Sequence, residues 1–583
     1  MEIEFQGCAY TALKPLSRKR IVSVIALVFS VGTAFAQSPP VPSAGEVLKT
    51  MPVPSGKPDA AVQVEGGAAK ARSVADVEGM KLEIKGFQTV GMTVMKDADL
   101  AAAVAPFIGP NKRFQEMLDA AAAVKRELAQ RGYFLADVII PEQKIVDGIV
   151  ILQVLEGRLG KVKLEIDANV SVRRSLLESY LNTLVEGELI KTATVERALF
   201  QIHDLRGIVA RSSFVPGAEP GTADLVISVS TASFYNANID FDANGSLYTG
   251  QHRISAGVDG NNLLGQGDLI SLRGTNAIDG DLRFARISVL SPVGSWGSKI
   301  GAAYTDLSYR LGTPLFDPLR ASGSAYVSSL IAIHPFVRSR NSNLLTVLQF
   351  DQRKFHDVQA TAAVDSTKTA LVTSWGFSGD FRDTLFGGGI NVYNISWTRG
   401  RLKFGNAILT AADAAGRKTA GRYDKVNISF SRLQALADRL ALYGSYSQQF
   451  GRKNFDSSEK FSLGGPNTVR AYPQGEGAGD EGYLGTLELR YRLPFEEDLP
   501  GSLVLTGFYD MGKATLIKHP TSADIAAKSA LERRISGPGL GLNWEVPNDW
   551  YLRASVAYRD TSQATADHLQ RYPRFYFLFS KSF

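Results

Sequence analysis

From residue 232 to the end, the chain is written in segments of about ten residues in which apolar and polar side chains alternate. Tyr235, Ala237, Ile239, Phe241 and Ala243 interleave with Asn236, Asn238, Asp240, Asp242 and Asn244; Ile254, Ala256 and Val258 interleave with Arg253, Ser255, Gly257 and Asp259. A period of two puts each set on its own face of a strand, one greasy and one wet. Such segments are expected near 234–244, 250–259, 268–275, 283–291, 298–309, 323–334, 342–354, 367–381, 387–399, 422–434, 438–450, 483–494, 502–514, 535–546, 550–559 and 574–583, sixteen in all. Short connections follow the even-numbered segments, as at Asn261-Asn262-Leu263-Leu264-Gly265 and Pro547-Asn548-Asp549, whereas a long glycine-rich stretch, 451–482, follows the eleventh. A soluble sandwich would alternate in the same way, so the pattern alone leaves that alternative open.

The first third is patterned differently. Strand, helix, helix, strand, strand is predicted over Lys81 to Phe87, Asp97 to Ala105, Arg113 to Arg131, Tyr133 to Ile140 and Gly148 to Leu155. In the longer helix Leu118, Ala122, Val124 and Leu128 fall on or near one stripe, and Gly132 is placed to end it. The same order recurs over Lys161 to Ile166, Val172 to Leu184, Thr192 to Leu205, Ile208 to Val215 and Ala223 to Ser230, which makes two tandem α+β units, 80–157 and 158–231. Upstream, 37–79 is rich in Pro, Gly, Ala and Val and reads as a flexible linker. One island interrupts it: Ser43 is placed to cap a short helix, Ala44 to Met51, with Val47 and Leu48 on its apolar side and Pro52 as its stop. A helix without a core of its own must dock on something or fray, and a linker disordered throughout is the alternative.

Composition narrows the choice. The chain carries 55 Gly, 30 Phe and 20 Tyr against six His and one Cys, which suits a β-rich protein. Residues 14–36 read as a secretory signal, with Lys14, Arg18, Lys19 and Arg20 before the apolar run Ile21 to Phe29 and then Ala34-Phe35-Ala36, so cleavage is expected after Ala36, with Ala34 the other small residue of the site. That run is shorter than the roughly 20 residues of a membrane-spanning helix, the competing reading. Cys8 leaves with the signal, which removes disulfides, catalytic thiols and cysteine–metal sites from consideration. Loss of four cations and two acids takes the formal net charge from +6 to +4, too weak a bias to imply a nucleic-acid partner. With no other run of 18 apolar residues, an exported chain of this kind can enter a membrane only as a closed barrel. The last segment places Phe575, Phe577, Phe579 and the terminal Phe583 on one face, and the balance tips to a 16-stranded antiparallel outer-membrane β-barrel over 232–583. An even strand number returns both barrel ends to the periplasmic side, where the soluble units must lie. The histidines show no acid–base or metal spacing and there is no GxxxxGK[ST] phosphate loop, so neither catalysis, metal, cofactor nor nucleotide is expected.

Several motifs resemble one family. Gln130-Arg131-Gly132-Tyr133-Phe134, Pro141-Glu142-Gln143, Asp147-Gly148 and Val154-Leu155-Glu156-Gly157 resemble the first polypeptide-transport-associated (POTRA) domain of two-partner secretion transporters, and Pro220-Gly221-Thr222-Ala223-Asp224-Leu225 resembles part of the second. In the C-terminal half, Gly464-Gly465 with Val469-Arg470-Ala471-Tyr472, and Gly507-Phe508-Tyr509-Asp510-Met511-Gly512, complete a likeness to the haemolysin and filamentous-haemagglutinin transporters, the TpsB family of ShlB/FhaC/HecB type, within the outer-membrane insertase superfamily. Ala471 stands where that family usually has glycine. Alternation turns Asp510 into the lumen with Thr506 and Phe508. The resemblance implies that 451–482 folds back into the barrel and that Arg470 reaches Asp510, with Val469, Tyr472 and Gly512 completing the lock. It also implies that the helix carrying Val47 and Leu48 plugs the pore. The periplasmic POTRA domains would hold an unfolded client; spacers are the bland alternative. A small sheet with a free edge can take an extended peptide as another strand, and Arg211, Ser212, Ser213 and Phe214 are the candidate client-binding residues. The implied partner is a large secreted exoprotein, whether adhesin, haemolysin or contact-dependent toxin. Outer-membrane lipids and the barrel assembly machinery are further implied partners, the latter because the terminal strand resembles an assembly signal from which only Lys581 departs. A barrel insertase and a passive porin are the competing functions.

Overall fold

A computed structural model describes residues 41–51, 64–66, 81–313, 316–494, 500–561, 565, 567 and 572–583. The expected signal segment, including Ala34 and Ala36, and most of the expected linker, 37–79, lie outside the described residues. From the linker come a short helix α1 (Ala44–Lys49) and a strand β1 (Val64–Gly66).

The first soluble unit comprises β2 (Leu82–Ile84), β3 (Gly86–Val90), α2 (Asp97–Val104), β4 (Gly109–Lys112), α3 (Phe114–Gln130), β5 (Asp137–Ile139) and β6 (Ile149–Leu155). The expected strand Lys81 to Phe87 is broken in two: β2 pairs with β4, while β3 runs parallel to β6. The buried stripe of α3 is Met117, Ala120, Ala121, Val124 and Leu128, packed on Val150, Leu152 and Val154. Leu118 and Ala122 are exposed instead, because the observed set follows the helical repeat more closely than the expected one. Gly132, at φ +92°, ends α3 and lets Tyr133 N–H reach the Leu128 carbonyl at 2.9 Å. That turn uses up residues expected to start a strand, so only Asp137–Ile139 pairs.

The second unit comprises β7 (Arg158–Ile166), α4 (Arg174–Leu181), α5 (Thr192–His203), β8 (Ile208–Pro216) and β9 (Thr222–Thr231), around a core that includes Leu177, Tyr180, Leu199, Ile202, Leu225 and Ile227. Its sheet order is β1-β8-β9-β7. Asp224 staples β9 to β7: its carboxylate accepts the Lys161 N–H at 2.8 Å and the Lys163 ammonium at 3.0 Å, which holds it below the usual carboxylate range.

The barrel strands are β10 (Tyr235–Asp242), β11 (Arg253–Asn261), β12 (Leu269–Ala277), β13 (Asp281–Val293), β14 (Ser298–Arg310), β15 (Ala321–Arg338), β16 (Ser342–Gln359), β17 (Val364–Asp383), β18 (Gly389–Phe404), β19 (Gly421–Ala437), β20 (Leu440–Gly451), β21 (Glu481–Arg492), β22 (Ser502–Thr515), β23 (Glu532–Val546), β24 (Trp550–Ala557) and β25 (Arg574–Ser582). These are the sixteen expected strands; each pairs with its sequence neighbour, and β10 closes antiparallel on β25, so every ladder is filled. Outward positions such as Ile254, Leu330, Leu371, Leu487 and Leu540 form the apolar exterior. Strands β15 to β17, at 18, 18 and 20 residues, run well past their expected limits. Pairing continues into the wet ends of the hairpins, where lipid no longer imposes alternation.

The second soluble unit is bolted to the barrel rim. The Arg338 guanidinium forks onto Asp204 at 2.5 and 3.0 Å and lies 5.0 Å over the Phe200 ring, while Arg197 lies 5.2 Å over Trp296. The backbone N–H groups of Arg173 and Arg206 donate to the carbonyls of Gly265 and Gly267, both at 3.2 Å. Arg338→Ala strands a half-buried carboxylate and is expected to weaken this contact by about 1–3 kcal/mol. Limited proteolysis of the detergent-solubilised protein then cuts near residues 231–234 at least fivefold faster, with the barrel intact; an unchanged rate contradicts a rigid dock.

Candidate functional site

Strand β22 alternates as lipid and lumen demand. Leu505, Tyr509 and Met511 are exposed, while Thr506, Phe508, Asp510, Gly512 and Ala514 are buried beneath the 451–482 loop. Asp510 is 0 % exposed and accepts from four donors: Arg470 Nε at 2.7 Å, the other arm of the same guanidinium at 2.8 Å, Arg470 N–H at 3.1 Å and Thr486 hydroxyl at 3.0 Å. The guanidinium carbon lies 3.3 Å from the Phe508 ring centroid, and the guanidinium also pairs with Glu488 at 2.8 Å. Arg490 shares Glu488 at 2.6 Å, so two cations and two carboxylates form a neutral cluster. A forked guanidinium fixes orientation as well as attraction, which a lysine in its place would not.

The flanking residues seat the loop. Val469 and Tyr472 are both 0 % exposed. Val469 N–H donates to the Leu463 carbonyl at 2.9 Å, the Tyr472 hydroxyl is 3.0 Å from that of Thr561, and Tyr576 hydroxyl donates to the Tyr472 carbonyl at 2.7 Å. Gly512 gives Leu463 a flat place to lie: a Cβ there would sit 2.9 Å from the Leu463 side chain. Ala471 needs no left-handed backbone, and Gly537 makes room for its methyl, since a Cβ at 537 would come within 2.6 Å of it. Arg470, Asp510, Val469, Tyr472 and Gly512 therefore meet at one place.

The other end of the loop holds α1, the helix expected to plug the pore. Val47 is buried against a cluster that includes Tyr248, Phe284, Leu307 and Tyr309, with Leu48 packed partly against it. Asp357 of β16 accepts the Ala44 N–H at 2.7 Å, and Tyr309 hydroxyl donates to the Pro42 carbonyl at 2.9 Å. Loop residues Ser457–Glu459 close over the helix from the opposite side. Lys49 donates to the carbonyls of Ser457 and Lys460 at 2.5 and 2.8 Å, and a Cβ on Gly45 would stand 2.5 Å from that of Ser458. The Ser43 hydroxyl, expected to cap the helix, meets the Ser457 hydroxyl at 2.5 Å; the Ser43 carbonyl alone receives the first helical N–H groups.

This part of the loop is itself pinned to the wall. Asp456 pairs with Lys368 at 3.0 Å, and Glu459 pairs with Arg353 at 2.8 Å and Lys425 at 2.9 Å. One loop thus touches α1 at 457–460 and the wall at β22 through Arg470. Sequence reasoning missed that junction: a Ser-Ser turn among charges has no periodic signature, and only a glycine inside a six-residue helix hinted at a close neighbour.

The candidate client-binding residues lie on β8. Ser212 and Phe214 point into the core, Phe214 meeting Phe134 edge-on at 5.4 Å, whereas Arg211 is exposed and Ser213 half-buried. What Ser212, Ser213 and Phe214 share is the backbone edge of β8, along which β1 pairs in parallel.

The family model described as haemolysin secretion/activation protein ShlB/FhaC/HecB matches residues 221–542, and the ShlB-type POTRA domain matches 82–157. The heme/hemopexin transporter protein HuxB of Haemophilus influenzae is 26% identical over 471 residues, covering 80% of this chain and 82% of that protein. The outer membrane transporter CdiB of Dickeya dadantii is 22% identical over 406 residues, 69% of this chain and 70% of that one. Among solved structures, CdiB from Escherichia coli shares the fold, with a TM-score of 0.65 at 18% identity over 89% of this chain and 94% of the other.

Proposed function

The chain belongs to the ShlB/FhaC/HecB family of haemolysin secretion/activation proteins, and from that premise we propose how its parts divide the work of export. It is an outer-membrane transporter with periplasmic POTRA domains that exports a large partner exoprotein, as two-partner secretion requires. A sixteen-strand barrel is wide enough for an aqueous channel. At rest α1 fills part of that lumen and the 451–482 loop clamps it, so the membrane does not leak. The observation that carries this reading is the single loop bound at once to the plug and, through Arg470 and Asp510, to the wall.

In the proposed cycle the unfolded client docks on the soluble units, α1 leaves its seat, and the client threads past the loop while the Arg470–Asp510 lock keeps the loop against β22. Folding outside prevents return, so no nucleotide is consumed and the chain catalyses nothing itself. The client is an adhesin, a haemolysin or a contact-dependent toxin. Surrounding lipids and the barrel assembly machinery, which would read the Phe583 end, complete the partners.

Comparing the culture medium and the outer-membrane proteins of the native strain with those of a strain lacking this chain tests the reading. Loss of one large protein from the medium, with the membrane profile intact, is the expected result. Depletion of many barrels from the membrane would instead make the chain an insertase, and no change in either fraction would leave a porin.

A further inference from the structure

On the outward face of β18 the apolar run stops before the strand does. Ile395 and Trp397 give way to exposed Arg399, Arg401 and Lys403, while Thr398, Gly400 and Leu402 between them are buried on the lumenal side. Arg401 is registered with Leu371, one of the lipid-facing leucines, so this row of cations faces outward. Its neighbour on the other side is Arg422 of β19, directly opposite, and Lys354 of β16 stands across Thr369 from Lys403. With the soluble units on the periplasmic side, β16 and β18 run outward and β19 returns, which puts these cations towards the extracellular ends of their strands. We propose that Arg401, Lys403, Arg422 and Lys354 form a binding site for the phosphate groups of a phosphorylated glycolipid of the outer leaflet, the lipid A part of lipopolysaccharide. The site goes beyond export and rests only on the outer-membrane placement of the barrel.

Three observations support an anion at this place. The first is the pair itself: like charges directly opposite on one face of a sheet repel, and a phosphate seated between Arg401 and Arg422 turns that repulsion into a bridge. The second is the lack of protein partners. Arg399 is matched by Asp424 at 2.8 Å, whereas among the described residues no carboxylate pairs with Arg401, Lys403, Arg422 or Lys354. The third is depth. Trp397 is registered with Trp375, both exposed, and the Arg399 guanidinium lies 5.0 Å over the Trp397 ring. Outward aromatic side chains mark the membrane boundary of such barrels, so the four unmatched cations stand at or beyond it, at the level of head groups. Lipid A carries its phosphates on the sugars directly above its acyl chains. Guanidinium forks fit phosphate oxygens, and the exposed Thr369 hydroxyl adds a donor between Lys354 and Lys403.

The placement also touches the long loop. Just before Arg422, the carbonyls of Ala420 and Thr419 accept from the Lys453 ammonium at 2.7 and 3.1 Å. Lys453 belongs to the outer start of the 451–482 loop. A glycolipid held by Arg401 and Arg422 would therefore steady the strand ends on which that loop rests.

The site can be tested with the purified full-length protein, delipidated in detergent, using diphosphoryl lipid A as probe and dephosphorylated lipid A as control, with bound lipid read by native mass spectrometry. Arg401→Gln together with Arg422→Gln is expected to weaken binding of the diphosphoryl form at least tenfold and to leave uptake of the dephosphorylated form unchanged. Lys513→Gln removes a cation in line with the outward Met511 but already paired with Glu532 at 2.8 Å, and should bind as the native protein does. Thermal melting separates a ligand site from a structural role. Without lipid the double variant should melt no lower than the native protein, since a like-charge pair is relieved, and diphosphoryl lipid A should raise the melting temperature of the native protein alone. Heat-modifiable migration confirms a closed barrel in each case. Binding by the double variant within twofold of native, or a lower melting temperature without lipid, overturns the site. So does equal uptake of dephosphorylated lipid A or phosphatidylglycerol, or displacement of the probe by millimolar inorganic phosphate. Each of these leaves the export reading untouched.

Discussion

Arg470→Ala is expected to cut export at least tenfold while the barrel assembles normally. The sixteen-strand ladder closes without the loop, so insertion and heat-modifiable migration should match the native protein. The lock does not survive. Asp510, 0 % exposed, loses both arms of the fork and keeps only the Thr486 hydroxyl and a backbone N–H. Removing one member of a buried ion pair costs about 3–5 kcal/mol, because the other is left charged and uncompensated. Letting the loop swing off β22 relieves that cost, and the channel loses the geometry that passes the client. Adding Asp510→Asn to Arg470→Ala removes the orphaned charge, so the double variant should regain much of the lost thermal stability without regaining export. Arg470→Lys should fall between, keeping charge but not the fork. Native export by Arg470→Ala, measured as partner protein in the medium, would refute a working lock.

The second large effect is on the plug. Gly45→Leu should leave the channel open most of the time, seen as sustained current through single molecules in planar bilayers where the native protein is mostly closed. The side chain has nowhere to go: even its Cβ would stand 2.5 Å from the Ser458 Cβ and 2.9 Å from its Cα. Gly45→Ala separates this cause from helix stability. Alanine favours a helix by about 1 kcal/mol over glycine, so if helix formation alone held the plug, alanine would close the channel further. The contact with Ser458 predicts the opposite sign, an increase in current for alanine and a larger one for leucine. Reduced current in Gly45→Ala would show that the loop does not clamp the helix.

What could be read from the sequence follows from which forces leave a period. Lipid on one side and water on the other imprint alternation, so the sixteen strands and the inward direction of Asp510 were legible. Family motifs then pointed to Arg470 as its partner. Contacts among small and polar residues leave no such imprint. The seat of Gly45 on Ser458, the Asp204–Arg338 rim contact and the pairing of Val64–Gly66 with β8 are each a matter of where distant segments meet. In α3, by contrast, the helical repeat through Met117, Ala120, Ala121, Val124 and Leu128 was legible, and counting Leu118 and Ala122 on the buried stripe departed from that repeat.

The most direct measurement places a photo-reactive phenylalanine derivative at position 309, whose native tyrosine lines the lumen and donates to the Pro42 carbonyl beside the plug. At rest, irradiation should join this position to the chain's own α1 segment. In cells making the partner, with export stalled by a folded domain fused to its end, the adduct should shift to the partner exoprotein. Persistence of the self-adduct under stalled export, or adducts with many barrel precursors instead of one exoprotein, would contradict passage of the client through this lumen.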